Sequence, residues 1–418
     1  MRSAAATYPK DIDMNSSFAR NAIVLGLLTA VGPFAIDMYL PALPAIAAEF
    51  HTSAAAAQAT ILSFFVAIAL GQLVYGPVAD SFGRKAPLYF GLVLYVIGTI
   101  ACSLAPTIEW LIVARFIQGI GACAGGTIPS AIVRDLHTGH EAARLMSLIM
   151  LVFSVSPMLA PLTGSFIVAF GTWREIFYII AVLGLLALAV AVFWLKETRP
   201  PGQRIPFNPR EIVRNYVSLF SDRRYLGVVL IGAFGISSFF AYLAGSSFIF
   251  IDHFGLTPTE FSLAFSVNAI AFIGMAQFSG YFGKRFGLPK VINAALAFYL
   301  AVTVILLALT LAGVDNVFVF IGCLFVAFGA MGLVIPSTAP LALQEYGATA
   351  GTASALMGTL QLVTAAVVIG IVSAFSGTLP MIVAMVACAA IAFGLGRFTL
   401  GGNRAAAKVA EPHPEPAE

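Results

Sequence analysis

Pro33-Phe34-Ala35-Ile36-Asp37-Met38-Tyr39-Leu40-Pro41 lies inside the first apolar run of the chain, Phe18 to Pro44. A membrane-crossing helix needs about 20 mostly apolar residues, and this run supplies them. It also holds a carboxylate. An ionised side chain near the centre of a membrane helix costs about 2.5–3.5 kcal/mol, so it ordinarily faces a wet cavity or a charged partner. Asp37 is therefore a candidate functional group, unless it lies close enough to the membrane edge to reach water.

The rest of the chain agrees with a membrane setting. Over 418 residues, 60% are hydrophobic and 10% are charged, and the mean hydropathy is +0.96. A soluble domain would carry about 25% charged residues. The net charge of +3 says little about partners, because Lys and Arg in such a chain report topology rather than nucleic-acid binding. Cys102, Cys123, Cys323 and Cys388 fall inside apolar runs without metal-ligand spacing and read as packed thiols. His137 and His140, with Asp135 and Glu141, read as a solvated loop rather than a metal site, since no fourth ligand is implied. The polar lead through Ser17 and the length of the first run do not fit a cleaved signal.

Apolar runs bounded by Gly, Pro and charge fall near residues 20–43, 55–77, 86–106, 110–133, 145–168, 175–195, 225–250, 260–281, 290–312, 317–338, 352–374 and 379–397. Twelve spans put both termini on one side. Arg2, Lys10, Arg20, Arg84, Lys85, Arg134, Arg144, seven basic residues from Lys196 to Arg224, Lys284, Arg285, Lys290, Arg397, Arg404 and Lys408 share that side. Only Arg174 lies opposite, while Arg115 lies within a span. The positive-inside rule then makes both termini cytoplasmic.

The Pro- and Arg-rich break after span six divides the chain. The expected organisation is a cytoplasmic segment 1–17, a six-helix bundle 18–195, a cytoplasmic linker 196–224, a second bundle 225–397 and a disordered cytoplasmic tail 398–418. The halves repeat weakly: an offset of 204 sets Glu49-Phe50 on His253-Phe254 and Gly76 on Gly280, and an offset of 207 sets Ile128-Pro129-Ser130 on Ile335-Pro336-Ser337. A parallel duplication of a six-helix unit follows, giving an all-α integral membrane protein of two pseudo-symmetric bundles. The buried charges belong to the first half. Asp37 aligns with Ala241, and Arg115 aligns with Gly322. The second half offers Phe239, Phe240, Tyr242, Asn268, Gln277 and Gln361 instead.

Arg115 stands in Leu111-Ile112-Val113-Ala114-Arg115-Phe116-Ile117-Gln118-Gly119. It lies roughly 9 Å from the periplasmic entry of its span, and Asp37 lies roughly 10 Å before Pro44, at 1.5 Å per residue. Opposite charges at one level of a bundle are expected to couple, although Arg115 could instead snorkel outward. Between spans two and three, Gly76, Asp80, Gly83, Arg84 and Lys85 form a tight charged turn. Asp80 and Arg84 are spaced to pair across a helical turn, and the glycines permit close approach or positive φ. Pro157, Pro161 and Gly164 in span five predict a bend or a packing seam. Gly119, Gly121, Gly125 and Gly126 suggest close helix packing in span four.

These motifs resemble those of the major facilitator superfamily. The turn matches its G-x-x-x-D-x-x-G-R-K loop, with Ser81 where Arg is usual, and Leu111 to Gly119 matches its span-four motif. Asp135 occupies the place of the acid that completes an Asp-Arg-Asp network there. The resemblance implies that Asp80, Arg84 and Asp135 act as a cytoplasmic gate latch and that Arg115 takes part in proton transfer. Pro157 to Gly164 resembles the antiporter motif, with Ala160 in place of its first Gly. Together with Ile36 to Pro44 and Lys196-Glu197-Thr198, these features are similar to the Bcr/CflA branch of drug:proton antiporters.

That resemblance implies a monomeric, multi-pass transporter of the bacterial inner membrane, exporting small amphipathic drug-like molecules against protons. Tyr39, Gln118, Phe239, Tyr242, Asn268 and Gln361 are the candidate cavity residues. Burial opposes ionisation of Asp37 and a neighbouring Arg115 favours it, so small rearrangements would switch its state. No enzyme, cofactor, metal or nucleic-acid role is expected: the Walker pattern is missing, and no nucleophile-base pair or HExxH helix is present. A nutrient symporter of the same fold and a transporter-like sensor are the competing readings.

Overall fold

Within hydrocarbon a backbone must satisfy its own N–H and C=O groups, so the apolar runs fold as helices. The computed structural model describes residues 10–346, 350–375 and 377–401, except the side chains of 10–17. Most of the expected N-terminal segment and tail, residues 1–9 and 402–418, lie outside the described residues. Among those described, twelve helices are long and apolar enough to cross a membrane, and there are no strands.

The first half comprises α1 (Lys10–Asp37), α2 (Leu43–Glu49), α3 (Ala54–Phe82), α4 (Lys85–Ser103), α5 (Ile108–Leu136), α6 (Gly139–Phe170) and α7 (Trp173–Trp194). The linker carries α8 (Pro209–Ser221). The second half comprises α9 (Arg223–Ser247), which runs on as a π-helical segment Phe248–His253, then α10 (Pro258–Phe286), α11 (Leu288–Leu311), α12 (Val317–Leu343), α13 (Ala350–Ser373) and α14 (Thr378–Leu400). The first crossing is interrupted rather than continuous. Pro41 lacks an N–H, and its ring opposes the carbonyl four residues back, so α1 stops at Asp37. A 3-10 turn, Leu40–Ala42, carries the chain into α2. The equivalent end of α9 also departs from regular helix, at Phe248.

The halves pack by one scheme. In the first, α3 and α4 flank α5, and α1 packs on α5, α6 and α7 while α4 packs on α7. In the second, α10 and α11 flank α12, and α9 packs on α12, α13 and α14 while α11 packs on α14. Every pairing has its counterpart, as a duplicated unit requires. Contact between halves repeats the same symmetry, with α3 against α13 and α6 against α10.

The two ends of the molecule differ. The linker lies at the end where α3 and α5 finish, here termed the linker face. At the far face the 3-10 turn contacts α9 and α10, and α2 contacts the segment Phe248–His253. One hydrophobic core runs from the first half into the far portion of the second, joining Tyr39 and Phe64 to Tyr242, Phe250 and Phe265. A separate core, including Tyr225, Ile292 and Met331, fills the linker portion of the second half. Between α3, α5 and α13 at the linker face lies a cavity of about 200 Å³, reaching Asp80, Arg84 and Tyr216. The molecule is closed at the far face.

Candidate functional site

Glycines position α5 before its charge is considered. A Cβ at Gly119 would lie 2.6 Å from the Phe64 carbonyl oxygen, one at Gly121 2.3 Å from the Tyr95 nitrogen, and one at Gly125 2.6 Å from the Leu28 carbonyl oxygen. Glycine at these three positions lets α5 touch the backbones of α3, α4 and α1. Gly126 makes no such approach, having nothing within 4 Å.

Arg115 is thereby carried into the interior, with no solvent exposure. Its Nη1 donates to the Ala35 carbonyl at 3.0 Å and to Gln118 Oε1 at 2.6 Å. Carbonyls in the last turn of a helix lack intrahelical partners, so the break after α1 supplies this acceptor. Gln118 Nε2 donates onward to Thr99 Oγ1 at 2.8 Å, and Thr99 Oγ1 donates to the Tyr95 carbonyl at 2.7 Å. The guanidinium lies 4.3 Å from the Phe64 ring centroid and 4.9 Å from that of Tyr39. The Tyr39 hydroxyl is itself fixed by Thr60 Oγ1 at 2.6 Å. Arg115 Nε and Nη2 have no partner among the described residues. The site therefore holds a fixed cation with unused donors.

Asp37 is 5% exposed and closes α1, two residues beyond the carbonyl that Arg115 holds. Asp37 and Arg115 stand at one level of the bundle, but the expected Asp37–Arg115 ion pair is not formed among the described residues. Two residues turn a helix by about 200°, which takes Asp37 round α1 from Ala35. Hydropathy gave depth without azimuth. Tyr39 and Gln118, expected along a substrate cavity, are fully buried in the first half, supporting Arg115. Thr99, Phe64 and Thr60 were not singled out from the sequence; hydroxyl and aromatic residues are common in membrane helices, so no local signal marks them.

The charged turn closes a second cluster at the linker face. Arg84 Nε and Nη2 grip Asp135 at 2.7 and 3.1 Å, and Nη1 reaches Asp80 at 2.8 Å. Burial opposes the Arg84 charge, but the two carboxylates outweigh it and raise the group above its ordinary value. Gly83 adopts φ +90°, a conformation that favours glycine, and a Cβ there would meet the Glu197 carboxylate at 2.8 Å, which would have to shift. Gly76 has ordinary helical backbone, and a Cβ there would meet nothing within 4 Å. Neither close approach nor positive φ is realised at Gly76; it borders the linker-face cavity instead. Lys85 contributes its backbone N–H.

The linker completes this cluster. Glu197 accepts from the backbone N–H groups of Arg84 at 2.8 Å, Lys85 at 3.1 Å and Arg199 at 3.0 Å. Arg199 pairs with Asp80, and Thr198 Oγ1 donates to Asp135 at 3.0 Å. Burial pushes the Glu197 carboxyl upward, yet the surrounding amides prevail and hold it below its ordinary value. Lys196-Glu197-Thr198 was the available signal for this strap, and its contacts were not legible.

In α6 the helix runs through Pro157 and Pro161 without interruption. A Cβ at Gly164 would lie 1.9 Å from the Met38 carbonyl oxygen, so the seam here is backbone against backbone. Across the halves, the Ser262 hydroxyl shares its one proton between the Pro161 carbonyl of α6 and the Pro258 carbonyl of its own helix, both at 2.9 Å, and the Ser266 hydroxyl shares its own between Met158 at 3.1 Å and Ser262 at 2.8 Å. In the second half, Phe239 lies within 5.4–6.4 Å of five other rings, Tyr242, Phe265, Phe272, Phe328 and Phe240. Asn268 Nδ2 donates to the Tyr242 hydroxyl at 3.1 Å, leaving Asn268 Oδ1 without a partner among the described residues. Gln361 lies apart from them, where its Nε2 would be 3.2 Å from a Cβ at Gly232.

Residues 25–369 match the family model described as Major Facilitator Superfamily. The chain is 36% identical to an uncharacterized MFS-type transporter, YdgK, of Bacillus subtilis, over 83% of this chain and 87% of that protein. It is 31% identical to a bicyclomycin resistance protein homolog of Haemophilus influenzae, over 82% and 86% of the respective chains. The human organic anion transporter MFSD10 superposes with a TM-score of 0.68 at 18% identity, covering 92% of this chain and 99% of that one. That last likeness concerns the fold alone.

Proposed function

The chain belongs to the major facilitator superfamily, a family of transporters rather than enzymes, and on that premise we propose that it exports drug-like small molecules in exchange for protons. The exporter reading draws on the similarity to the bicyclomycin resistance protein homolog. The Bcr/CflA branch, the bacterial inner membrane, cytoplasmic termini and a monomeric state belong to the same proposal. Basic residues concentrated on the linker face support that orientation.

The observation that carries proton exchange is Arg115 with unused donors, at the level of Asp37, which is 5% exposed and forms no ion pair among the described residues. In the far-face-closed state, Asp37 carries the proton, because an unpaired charge buried in this setting is costly. Proton release toward the cytoplasm leaves a carboxylate, which rearrangement at the α1 break brings toward Arg115, and substrate then binds. Rocking of the halves opens the far face to the periplasm, where Asp37 regains a proton and substrate leaves. The latch around Arg84 and the seam at Gly164 set which conformation is held.

The test is transport in proteoliposomes under an imposed pH gradient, with radiolabelled bicyclomycin as first substrate. Asp37→Asn is expected to reduce gradient-driven transport at least about tenfold while leaving binding in place, the scale of losing one essential protonation step. Undiminished coupled transport by this variant overturns the assigned role. Substrate moving with the proton gradient rather than against it identifies a symporter, and binding without flux identifies a sensor.

A further inference from the structure

Among the apolar surfaces of the molecule, that of α8 has a distinctive setting, because it is not part of a crossing helix. One stripe faces the protein: Leu219 is buried, and the Tyr216 hydroxyl donates to the Leu73 carbonyl of α3 at 3.2 Å. Leu73 lies about nine residues before the end of α3, or roughly 13 Å below it at 1.5 Å per residue. The Tyr216 hydroxyl therefore reaches below the outer end of a crossing helix, which sets α8 close to the level of that end. The neighbouring stripe, Val213, Val217 and Phe220, repeats at helical spacing and is 49–59% exposed. Ile205 and Phe207 extend this apolar surface before the helix, and the Phe207 ring lies 6.2 Å from that of Phe82.

Arg210 and Arg214 follow the apolar stripe on its next flank, one turn apart, and both are exposed. Neither forms an ion pair among the described residues, whereas Arg224 nearby pairs with Glu345. A helix with a protein-anchored stripe, an apolar stripe and an arginine flank fits the boundary between acyl chains and headgroups. We propose that α8 lies in the membrane interface and recruits anionic phospholipid, with Val213, Val217 and Phe220 among the acyl chains and Arg210 and Arg214 on the phosphates. The complementarity is of charge and depth together: an apolar stripe close to the level of the end of α3 meets acyl chains, and the arginines on its flank meet phosphates. The proposal rests on the membrane-spanning fold and not on the exported substrate.

Its consequence follows from chain continuity. The segment just before α8 is tied to the latch, since the Ile205 backbone N–H donates to the Asp80 carbonyl at 3.1 Å and Arg199 pairs with Asp80. Anionic lipid holding α8 thus steadies the linker on which the latch depends.

The experiment uses the full chain in nanodiscs of phosphatidylcholine with phosphatidylglycerol at a fixed mole fraction. A bimane label at Val217→Cys reports quenching by acyl-brominated phosphatidylglycerol or, separately, acyl-brominated phosphatidylcholine. Phe220→Cys serves the same purpose on the same stripe should the first variant fail to fold. The expected result is quenching by both lipids, stronger with brominated phosphatidylglycerol, and loss of that excess in Arg210→Gln/Arg214→Gln. An arginine near an anionic surface contributes about 1 kcal/mol, roughly fivefold in local lipid preference. Quenching by aqueous iodide alone places the stripe in water, leaves it to a protein partner and overturns the proposal. Equal quenching by the two brominated lipids overturns anionic recruitment.

Discussion

At the scale of single residues, glycines that look alike in sequence have opposite consequences. Gly164 and Gly322 both stand within long apolar helices, yet a Cβ at Gly164 would collide with the Met38 carbonyl oxygen at 1.9 Å while one at Gly322 meets nothing within 4 Å. Gly164→Ala is expected to destabilise the protein by about 1–3 kcal/mol, the usual cost of overpacking. Gly322→Ala is expected to be neutral or to stabilise by up to about 1 kcal/mol through reduced backbone entropy. Thermal melting in detergent checks the pair: equal melting temperatures for both variants contradict the collision. Gln118→Leu removes the 2.6 Å contact to Arg115 and leaves buried donors unpaired, an expected loss of about 1–3 kcal/mol. The same melting series measures it. Arg115 was legible because a charge in an apolar run is conspicuous. Its partners were not, because Ala35 and Phe64 reach it only through the packing of α5 on α1 and α3, and Thr99 supports it only through Gln118.

At the scale of elements, the linker between the halves acts as a strap on the first half. In sequence it stands out only as a Pro- and Arg-rich break, which is how a connection between repeats looks when its contacts are distant along the chain. Glu197 gathers the amides of Arg84, Lys85 and Arg199, and these hold its carboxyl below the ordinary value of 4.5. A lowered carboxyl contributes stability that is present above the ordinary value and is lost as pH falls through the lower, folded value. Amide hydrogen exchange at Arg84, Lys85 and Arg199 is therefore expected to lose protection on acidification below 4.5. Glu197→Gln is expected to lose it already at neutral pH. Protection that stays constant in both experiments contradicts the strap. In α6 the prolines were legible as a special segment, but whether they produced a bend or a seam depended on Met38, which only the fold brings to Gly164.

At the scale of the molecule, the twelve crossings and the repeat were legible because hydrocarbon leaves helices little alternative and because Gly and Pro recur at the equivalent span ends. The azimuth of each helix was not, since lipid-facing and protein-facing positions are both apolar, as in α6 with buried Ile149 beside exposed Met150 and Leu151. This is why Asp37 and Arg115 could be placed at one level but not in one contact. The same limit applies to the contacts that close the far face. The Ser262 and Ser266 hydroxyls share their protons between backbone carbonyls of α6 and of their own helix, and at the other seam Thr359 Oγ1 donates to the Ala69 carbonyl at 3.1 Å, near the middle of α3. A hydroxyl placed on a foreign carbonyl holds the halves without locking them, because each such bond contributes only about 0.5–1.5 kcal/mol net. Removing two of them at one end should therefore shift a conformational balance rather than unfold the protein. In Ser262→Ala/Ser266→Ala, conformers open at the far face are expected to gain roughly two- to thirteenfold relative to the closed one, the Boltzmann factor of about 0.5–1.5 kcal/mol for two hydroxyls each shared with its own helix. Spin labels on α2 and on the segment Phe248–His253, whose contact closes that face, report the distance distribution directly. A longer-distance population that grows in the double variant supports hydroxyl-held closure, whereas an unchanged distribution assigns closure to the hydrophobic core that joins Tyr39 to Tyr242.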